Sequence, residues 1–396
     1  MANIILTEWQ SGIVTLSAPD VRYIAELANR YDSALLTLTP QGGDVYLARA
    51  SHFVGILRLP DGRTLEIRPK MPVGNVFAML NTVNALGAFL PTLANMDSFA
   101  GLLDILLDQF ARELELILRH GLLRGFATQQ DVSVMIRGKL DLSETLRQAP
   151  TLRHYSESSD ATSDILENQV LCLACQYIRT HLPLSVEHER RFEVFLQKLS
   201  HLSTANISRD AVKRVQFTRL NEYYRPTLAL AELLLADQAP TTDGARTQYP
   251  SFLVDMNTLF ERYTTILLQE YSDSRIVVNV QASYPLDHTG LLTVRPDMVL
   301  SAKQGAVVPV DAKYKLYSHN EDIYQMLAYC HALRTTRAVL IYPFAARPQR
   351  VEIESKGGVN FVIVVLALDL TGDVTIMRNN AMQLATAVQH IVDEVS

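Results

Sequence analysis

Cysteine, tryptophan and long apolar runs are what this 396-residue chain has least of. Three cysteines, Cys172, Cys175 and Cys330, are too few for a disulfide framework, and their scarcity fits a reducing compartment, so the expected location is cytoplasmic. The longest apolar runs, such as Phe361 to Leu368, fall well short of the roughly 20 residues that a membrane-spanning helix needs. The first residues carry neither a basic segment nor a long apolar core, so neither export nor a membrane span is expected. With only 17 glycines and 16 prolines the chain is not collagenous or of low complexity. The strings G-x-x-x-x-G-K-S/T and G-x-G-x-x-G do not occur, which argues that the chain is not itself a nucleotide hydrolase. Cys172-x-x-Cys175 lacks a second pair and sits in an apolar helical stretch, so packing is expected there rather than zinc.

What is present is an ordinary globular balance, 48% hydrophobic and 20% charged residues, on a chain long enough for about two to three domains. The net charge of −6 excludes a protein coated in positive potential, so any grip on nucleic acid has to be local. Residues 301–350 are such a patch, with seven Lys and Arg against three Asp and Glu.

Three regions follow from the pattern. Residues 1–95 read as a β-rich N-terminal domain, with Pro60-Asp61-Gly62-Arg63 as a hairpin turn and Ser17-Ala-Pro-Asp20 as the cap of a helix. Residues 96–240 read as a mainly helical middle region: Leu103, Leu106, Phe110, Leu114 and Ile117 step by three and four, Gly121 ends the helix, and a hairpin is expected near Val132 to Leu142. A polar Pro- and Gly-containing stretch after Asp237 reads as a linker. Residues 250–396 read as an α/β domain with a helix to Tyr271, several strands, and a further helix over Glu321–Leu333.

The candidate chemistry lies in this last region. Pro296-Asp297 opens one strand, Asp311-Ala312-Lys313 closes the next, and the midpoint of 297 and 311 falls inside the turn Ala302-Lys-Gln-Gly305. A hairpin therefore sets the two aspartates opposite each other, and strand alternation puts Asp311 and Lys313 on one face. Two carboxylates with a lysine suit Mg²⁺, which keeps several waters and binds through one or two carboxylates plus a phosphate. The chemistry indicated is metal-assisted phosphodiester hydrolysis. The bland alternative is a pair of strand-end carboxylates neutralised on an exposed edge. The rival triple Glu354-Ser-Lys356 has no Pro-Asp one hairpin upstream.

These residues resemble the PD-(D/E)xK nuclease core, and Gln325-x-x-x-Tyr329 on the following helix resembles the QxxxY motif of its RecB-like branch. The strings Met256-Asn-Thr-Leu-Phe-Glu-Arg-Tyr263, Arg295-Pro-Asp-Met-Val-Leu300, Val310-Asp-Ala-Lys-Tyr-Lys315 and Asp322-Ile-Tyr-Gln-Met-Leu-Ala-Tyr329 are together similar to the McrC family, the nuclease subunits of McrBC modification-dependent (5-methylcytosine) restriction systems. Weaker similarity runs upstream through Leu65-Glu-Ile-Arg-Pro-Lys70, Gly121-Leu-Leu-Arg124, Ile136-Arg-Gly-Lys139 and Asp164-Ile-Leu-Glu-Asn168.

The resemblance implies an α+β multidomain chain with an N-terminal β-rich and helical partner-binding region and a C-terminal PD-(D/E)xK restriction-endonuclease-like domain. It implies Asp297, Asp311, Lys313, Glu261, Gln325 and Tyr329 as catalytic-site residues, with Asp297, Asp311 and Glu261 as Mg²⁺ ligands. The implied partners are double-stranded, modified DNA and a McrB-like AAA+ GTPase ring, which binds the GTP and whose hydrolysis this chain stimulates; no membrane partner is implied. Arg137 and Lys139 are candidates for that stimulation. Two other readings stay open: a stand-alone RecB-like DNA nuclease, and a non-catalytic activator of a ring NTPase.

Overall fold

A computed structural model describes residues 3–84, 98–133, 139–140, 154–205, 207, 209–235, 251–273, 275–302, 305–316, 320–344, 349–355 and 357–394. Arg137 and the turn expected around it lie outside these residues. The chain is a mixed α+β protein of several sheets, divided into one compact unit of Met1–Asp104 with Gln238–Ser396 and another of Ile105–Asp237.

The first unit begins with β1 (Ile4–Thr7), β2 (Ser11–Thr15), α1 (Ala18–Arg30), β3 (Leu36–Gly42), β4 (Val45–Ala50), β5 (Phe53–Arg58), β6 (Thr64–Arg68) and α2 (Val73–Asn84). The expected cap of α1 is present: the Ser17 hydroxyl accepts from Asp20 N–H, and Asp20 returns a bond to Ser17 N–H. Strands β2, β4 and β3 form one antiparallel sheet, while β1 pairs parallel with β6, and β6 antiparallel with β5. Leu16, Leu27, Leu35, Leu59 and Ile67 are among the buried residues of the core these sheets share with α1.

α3 (Phe99–His120) leads into the second unit, which holds β7 (Gly125–Ser133), β8 (Lys139–Leu140), β9 (His154–Thr162), α4 (Leu166–His181), α5 (Val186–Lys198) and α6 (Arg225–Leu235). Here β9 lies between β7 and β8, so the two strands flanking the expected turn pair with a third strand rather than with each other. Buried Asn168 on α4 ties the unit together: its amide donates to Leu123 O at 2.9 Å and Ser163 O at 2.7 Å, and its carbonyl accepts from the Tyr224 hydroxyl at 2.7 Å. An amide buried with its donors and acceptor matched costs little and fixes the approach of three segments. Cys172 and Cys175 are buried in α4.

The chain re-enters the first unit with β10 (Ser251–Asp255), which pairs antiparallel with β5 and becomes the fourth strand of that sheet. Gly55 permits this pairing: its φ is +139°, and a Cβ there would lie 2.1 Å from Phe252 O. Then come α7 (Met256–Tyr271), β11 (Ile276–Val280), β12 (Tyr284–Pro285), β13 (Thr293–Val294), β14 (Met298–Ala302), β15 (Val307–Ala312), α8 (Asn320–Leu333), β16 (Arg337–Pro343), β17 (Gln349–Glu354), β18 (Asn360–Leu368) and α9 (Val374–Asp393). Six of these strands form one mixed sheet in the order β11-β14-β15-β16-β18-β17. Its centre reads as near-continuous Val, Ile and Leu, because β15, β16 and β18 run parallel under α8. Met326 and Cys330 of α8 bury against Leu340, Ile363 and Val365. α2 packs on α7 and α9, and Asn75 on α2 donates to Leu370 O at 2.8 Å. Among the described residues no helix is long and apolar enough to cross a membrane.

Candidate functional site

The hairpin of β14 and β15 builds the site. Its antiparallel ladder pairs Met298 with Val310, so one step outward brings Asp297 beside Asp311. The turn closes with Gly305 N–H donating to Ala302 O at 3.0 Å, Gly305 taking the left-handed φ of +94°. Asp297 Oδ2 accepts from Ala312 N–H at 2.8 Å, which locks the end of one strand to the end of the other.

Asp311 is fully buried, and its Oδ2 lies 2.6 Å from Lys313 Nζ. Lys313 is held in turn by its backbone N–H, which donates to Ile341 O of β16 at 2.8 Å. Tyr329 on α8 sits behind Asp311. Its hydroxyl accepts from Gln325 Nε2 at 2.5 Å and lies 3.4 Å from Asp311 Oδ1 and 3.3 Å from Arg295 O. The spacing of four places the amide and the phenol on one helical face. They address the aspartate that holds the lysine rather than the lysine itself.

These groups open on a cleft of about 410 Å³ lined by Glu261, Asp297, Lys313, Lys315, Asp322 and Gln325, among others. Glu261 comes from α7, whose first turn is fixed by Asp255 accepting from Asn257 N–H at 2.9 Å. Its Oε1 accepts from Gln281 Nε2 at 2.7 Å, and Arg295 donates to Gln281 Oε1 at 2.7 Å. Glu261 thus shares the cleft while engaging a side chain at its rim. Among the described residues no three His, Cys, Asp or Glu side chains group as a ready metal cage.

Burial and charge together set the local pKa values. Burial and the like charge of Asp311 push Asp297 up to about 7, against the pull of the Ala312 N–H bond; Glu261 adds to the rise. Burial alone lowers the Lys313 ammonium, but its ion pair with Asp311 outweighs this and holds it above its ordinary value. Burial, then the Asp311 and Asp297 charges, raise the Tyr329 phenol, so it remains a donor.

Two further arrangements escape the sequence reading. Lys315 pairs with Asp322 at 2.8 Å, and the Tyr342 hydroxyl donates to the other Asp322 oxygen at 2.8 Å. Between the two lysines, Tyr314 turns the opposite way: it is buried, and its hydroxyl donates to Glu8 Oε1 at 2.9 Å. Alternation past the end of β15 was the available signal for Lys315, whereas Glu8 lies 306 positions from its partner.

Fold and cleft together define an α+β, multi-sheet protein in which two carboxylates and a paired lysine converge at the end of a central hairpin. Comparison with known families then places it. Residues 48–343 match the family model described as "McrBC 5-methylcytosine restriction system component", and the chain belongs to that family. A chain of the Thermococcus gammatolerans assembly of McrB AAA+ hexamers with bound McrC matches with 19% identity and a TM-score of 0.61, covering 98% of this chain and 100% of that one. A second Thermococcus gammatolerans McrBC complex matches at 19% identity and a TM-score of 0.46, over 68% of this chain and 88% of that one. Among curated proteins nothing matches.

Proposed function

We propose that this chain is the DNA endonuclease subunit of a modification-dependent restriction complex, hydrolysing phosphodiesters with Mg²⁺ beside a McrB-like AAA+ GTPase ring whose GTP hydrolysis it stimulates. The observation that carries the reading is the meeting of Asp297, Asp311 and Lys313 at the end of one hairpin, with Asp297 and Lys313 lining the cleft and buried Asp311 paired to the lysine. On this reading residues 250–396 form a PD-(D/E)xK restriction-endonuclease-like domain, residues 1–95 engage the ring, and 96–240 form the helical middle region. Cytoplasmic residence is part of the proposal, and the three buried free cysteines are in keeping with it.

The residues fit the metal on charge grounds. Asp297 is held near pKa 7 first by burial and then by the second carboxylate beside it, whose charge Lys313 offsets only in part, and a divalent cation would relieve both. Asp297 and Asp311 would hold the ion, with the rest of its shell left to water and phosphate, and Glu261 acting from the cleft wall. Bound Mg²⁺ supplies charge against the phosphate and makes water more acidic. The chain's own groups do the rest. Lys313, aimed by Asp311, donates to a phosphate oxygen and offsets charge that grows in the transition state. Tyr329 and Gln325 fix the Asp311 rotamer, so that the lysine and the carboxylate keep one geometry.

The test is cleavage of modified and unmodified plasmid by wild type and Asp311→Ala, with Mg²⁺, each with and without the McrB-like partner and GTP. Cutting by wild type plus partner alone is the expected result. Cutting by wild type without a partner would indicate a stand-alone nuclease. Stimulated GTP hydrolysis without any cutting would leave an activator, and equal cutting by Asp311→Ala and Lys313→Ala would remove this site.

A further inference from the structure

The cleft contains two lysines, and only one of them is used by the chemistry above. Lys313 and Lys315 flank buried Tyr314, and both line the same cleft. Each ammonium is paired with a buried aspartate, and each aspartate is backed by a tyrosine hydroxyl. For Lys313 the set is Asp311 and Tyr329; for Lys315 it is Asp322 and Tyr342.

The two sets differ in exposure. The Lys313 side chain is 23% exposed over a fully buried Asp311, whereas the Lys315 side chain is 41% exposed over an Asp322 side chain at 4%. Both Asp322 oxygens are occupied, one by Lys315 and one by Tyr342, so its carboxylate is fixed. It takes one of the three donors of the half-exposed ammonium. A surface staple needs no such foundation, since exposed pairs contribute little to stability. Lys315 N–H also donates to Lys313 O at 2.9 Å, which sets the two lysines in one tight turn. The cleft otherwise brings Glu261, Asp297, Glu321 and Asp322 toward any entering anion. A polyanion needs a cation that is not consumed at the scissile position.

We propose that Lys315, anchored by Asp322 and Tyr342, is a binding site for a backbone phosphate flanking the one that is cleaved. This rests on the nuclease reading and deepens it. Lys313 acts on the phosphate that reacts. Lys315 grips the strand equally in ground and transition states, so its loss raises KM and leaves kcat in place.

The experiment uses the full chain and a short fluorescent DNA duplex, with Ca²⁺ replacing Mg²⁺ so that binding is read without cutting. Affinity is followed against salt for wild type, Lys315→Met, Lys315→Arg and Asp322→Asn, with thermal unfolding of each. Lys315→Met is expected to weaken binding about tenfold and to reduce the slope of log K against log salt by about 0.9, the value of one lost phosphate contact. Lys315→Arg is expected to keep the slope, and Asp322→Asn to fall between, because the cation remains while its anchor is gone. In the cleavage assay with partner, Lys315→Met is expected to raise KM with kcat within about twofold. An unchanged slope and affinity with a lower melting temperature would overturn the proposal and leave Lys315 a staple. A wild type that does not bind duplex overturns both this and the nuclease reading. A lowered slope in a protein that never cuts would keep the phosphate site and remove the nuclease.

Discussion

Asp297 and Glu8 are both carboxyl groups pushed up to about 7, and they reach that value in opposite company. Glu8 is fully buried between the start of the N-terminal sheet and the end of β15. Burial raises it, while Lys70 N–H at 2.7 Å, the Tyr314 hydroxyl at 2.9 Å and the Lys70 charge all act the other way. Trp9 packs at a tilt on Tyr314 at 4.9 Å and meets Phe344 edge-on at 6.2 Å, closing the surroundings of Tyr314 with aromatic carbon. Asp297 is only part-buried, and it is raised by burial and then by two further carboxyls, Asp311 and Glu261. Burial raises both groups; at Glu8 every neighbour then pulls back down, as suits a carboxyl walled into the fold, whereas at Asp297 two like charges push the same way on a group that opens on a cleft, a setting that favours a cation. Both groups end at about 7; the neighbours separate structure from site.

The largest test of this contrast is cleavage. Asp297→Asn keeps the shape of the side chain and removes its charge, and plasmid cutting is expected to fall on the order of 10³-fold, the scale of losing one group that acts in the transition state. Glu8→Gln is expected to cut within about fivefold of wild type, since Glu8 reaches the site only through Tyr314. Equal losses in nicking rate would abolish the distinction.

Stability against pH gives the next effect. The folded Glu8 pKa of about 7 stands above its ordinary 4.5, so the folded state holds the proton more tightly than the unfolded chain. The resulting stabilisation is complete below pH 4.5 and is lost as pH rises through 7. Between about pH 5 and 8 the loss amounts to about 2.5 kcal/mol, taking 1.36 kcal/mol per unit. Glu8→Gln cannot titrate, so its urea-unfolding curve is expected to be flatter than wild type by that amount over the same range. The single tryptophan, Trp9, adjoins Glu8 and reports the transition by fluorescence. Parallel pH curves for the two proteins would show that Glu8 stays ionised in the fold.

Sequence alone made one half of this comparison visible. Asp297, Asp311 and Lys313 sit in one hairpin, so counting to the turn and alternating faces gives their meeting without any long-range information. The Ser17 cap and the Gly121 stop are equally local, the latter with φ +90°. Glu8 and Tyr314 meet across 306 positions, and no local pattern encodes that distance. β10 lies outside the strands the sequence predicts, and its partner β5 is selected by the close approach at Gly55. β7 and β9 escape for a different reason: Thr128-Gln-Gln-Asp131 and Ser156-Glu-Ser-Ser-Asp160 are polar throughout, so apolar alternation gives no signal. Asp322 falls in the expected helix over Glu321–Leu333, and only the fold reveals it as the anchor of Lys315.

The smallest effect sharpens the contrast most directly, because it needs no partner and no DNA. A ligand that binds only the folded chain stabilises it by RT ln(1 + [L]/Kd), about 1.4 kcal/mol at ten times Kd. If crowding of carboxyls is what draws a cation, Mg²⁺ should raise the urea midpoint of wild type and of Glu8→Gln alike, because Glu8 has no neighbouring carboxylate among the groups that shift it. Asp297→Asn and Asp311→Asn should each weaken the response, since either removes one of the two carboxylates that would hold the ion and leaves the other largely offset by Lys313. EDTA should return wild type to its metal-free midpoint. A response that survives both asparagine variants and disappears in Glu8→Gln would reverse the assignment, making the buried carboxyl the cation site and the hairpin aspartates its scaffold.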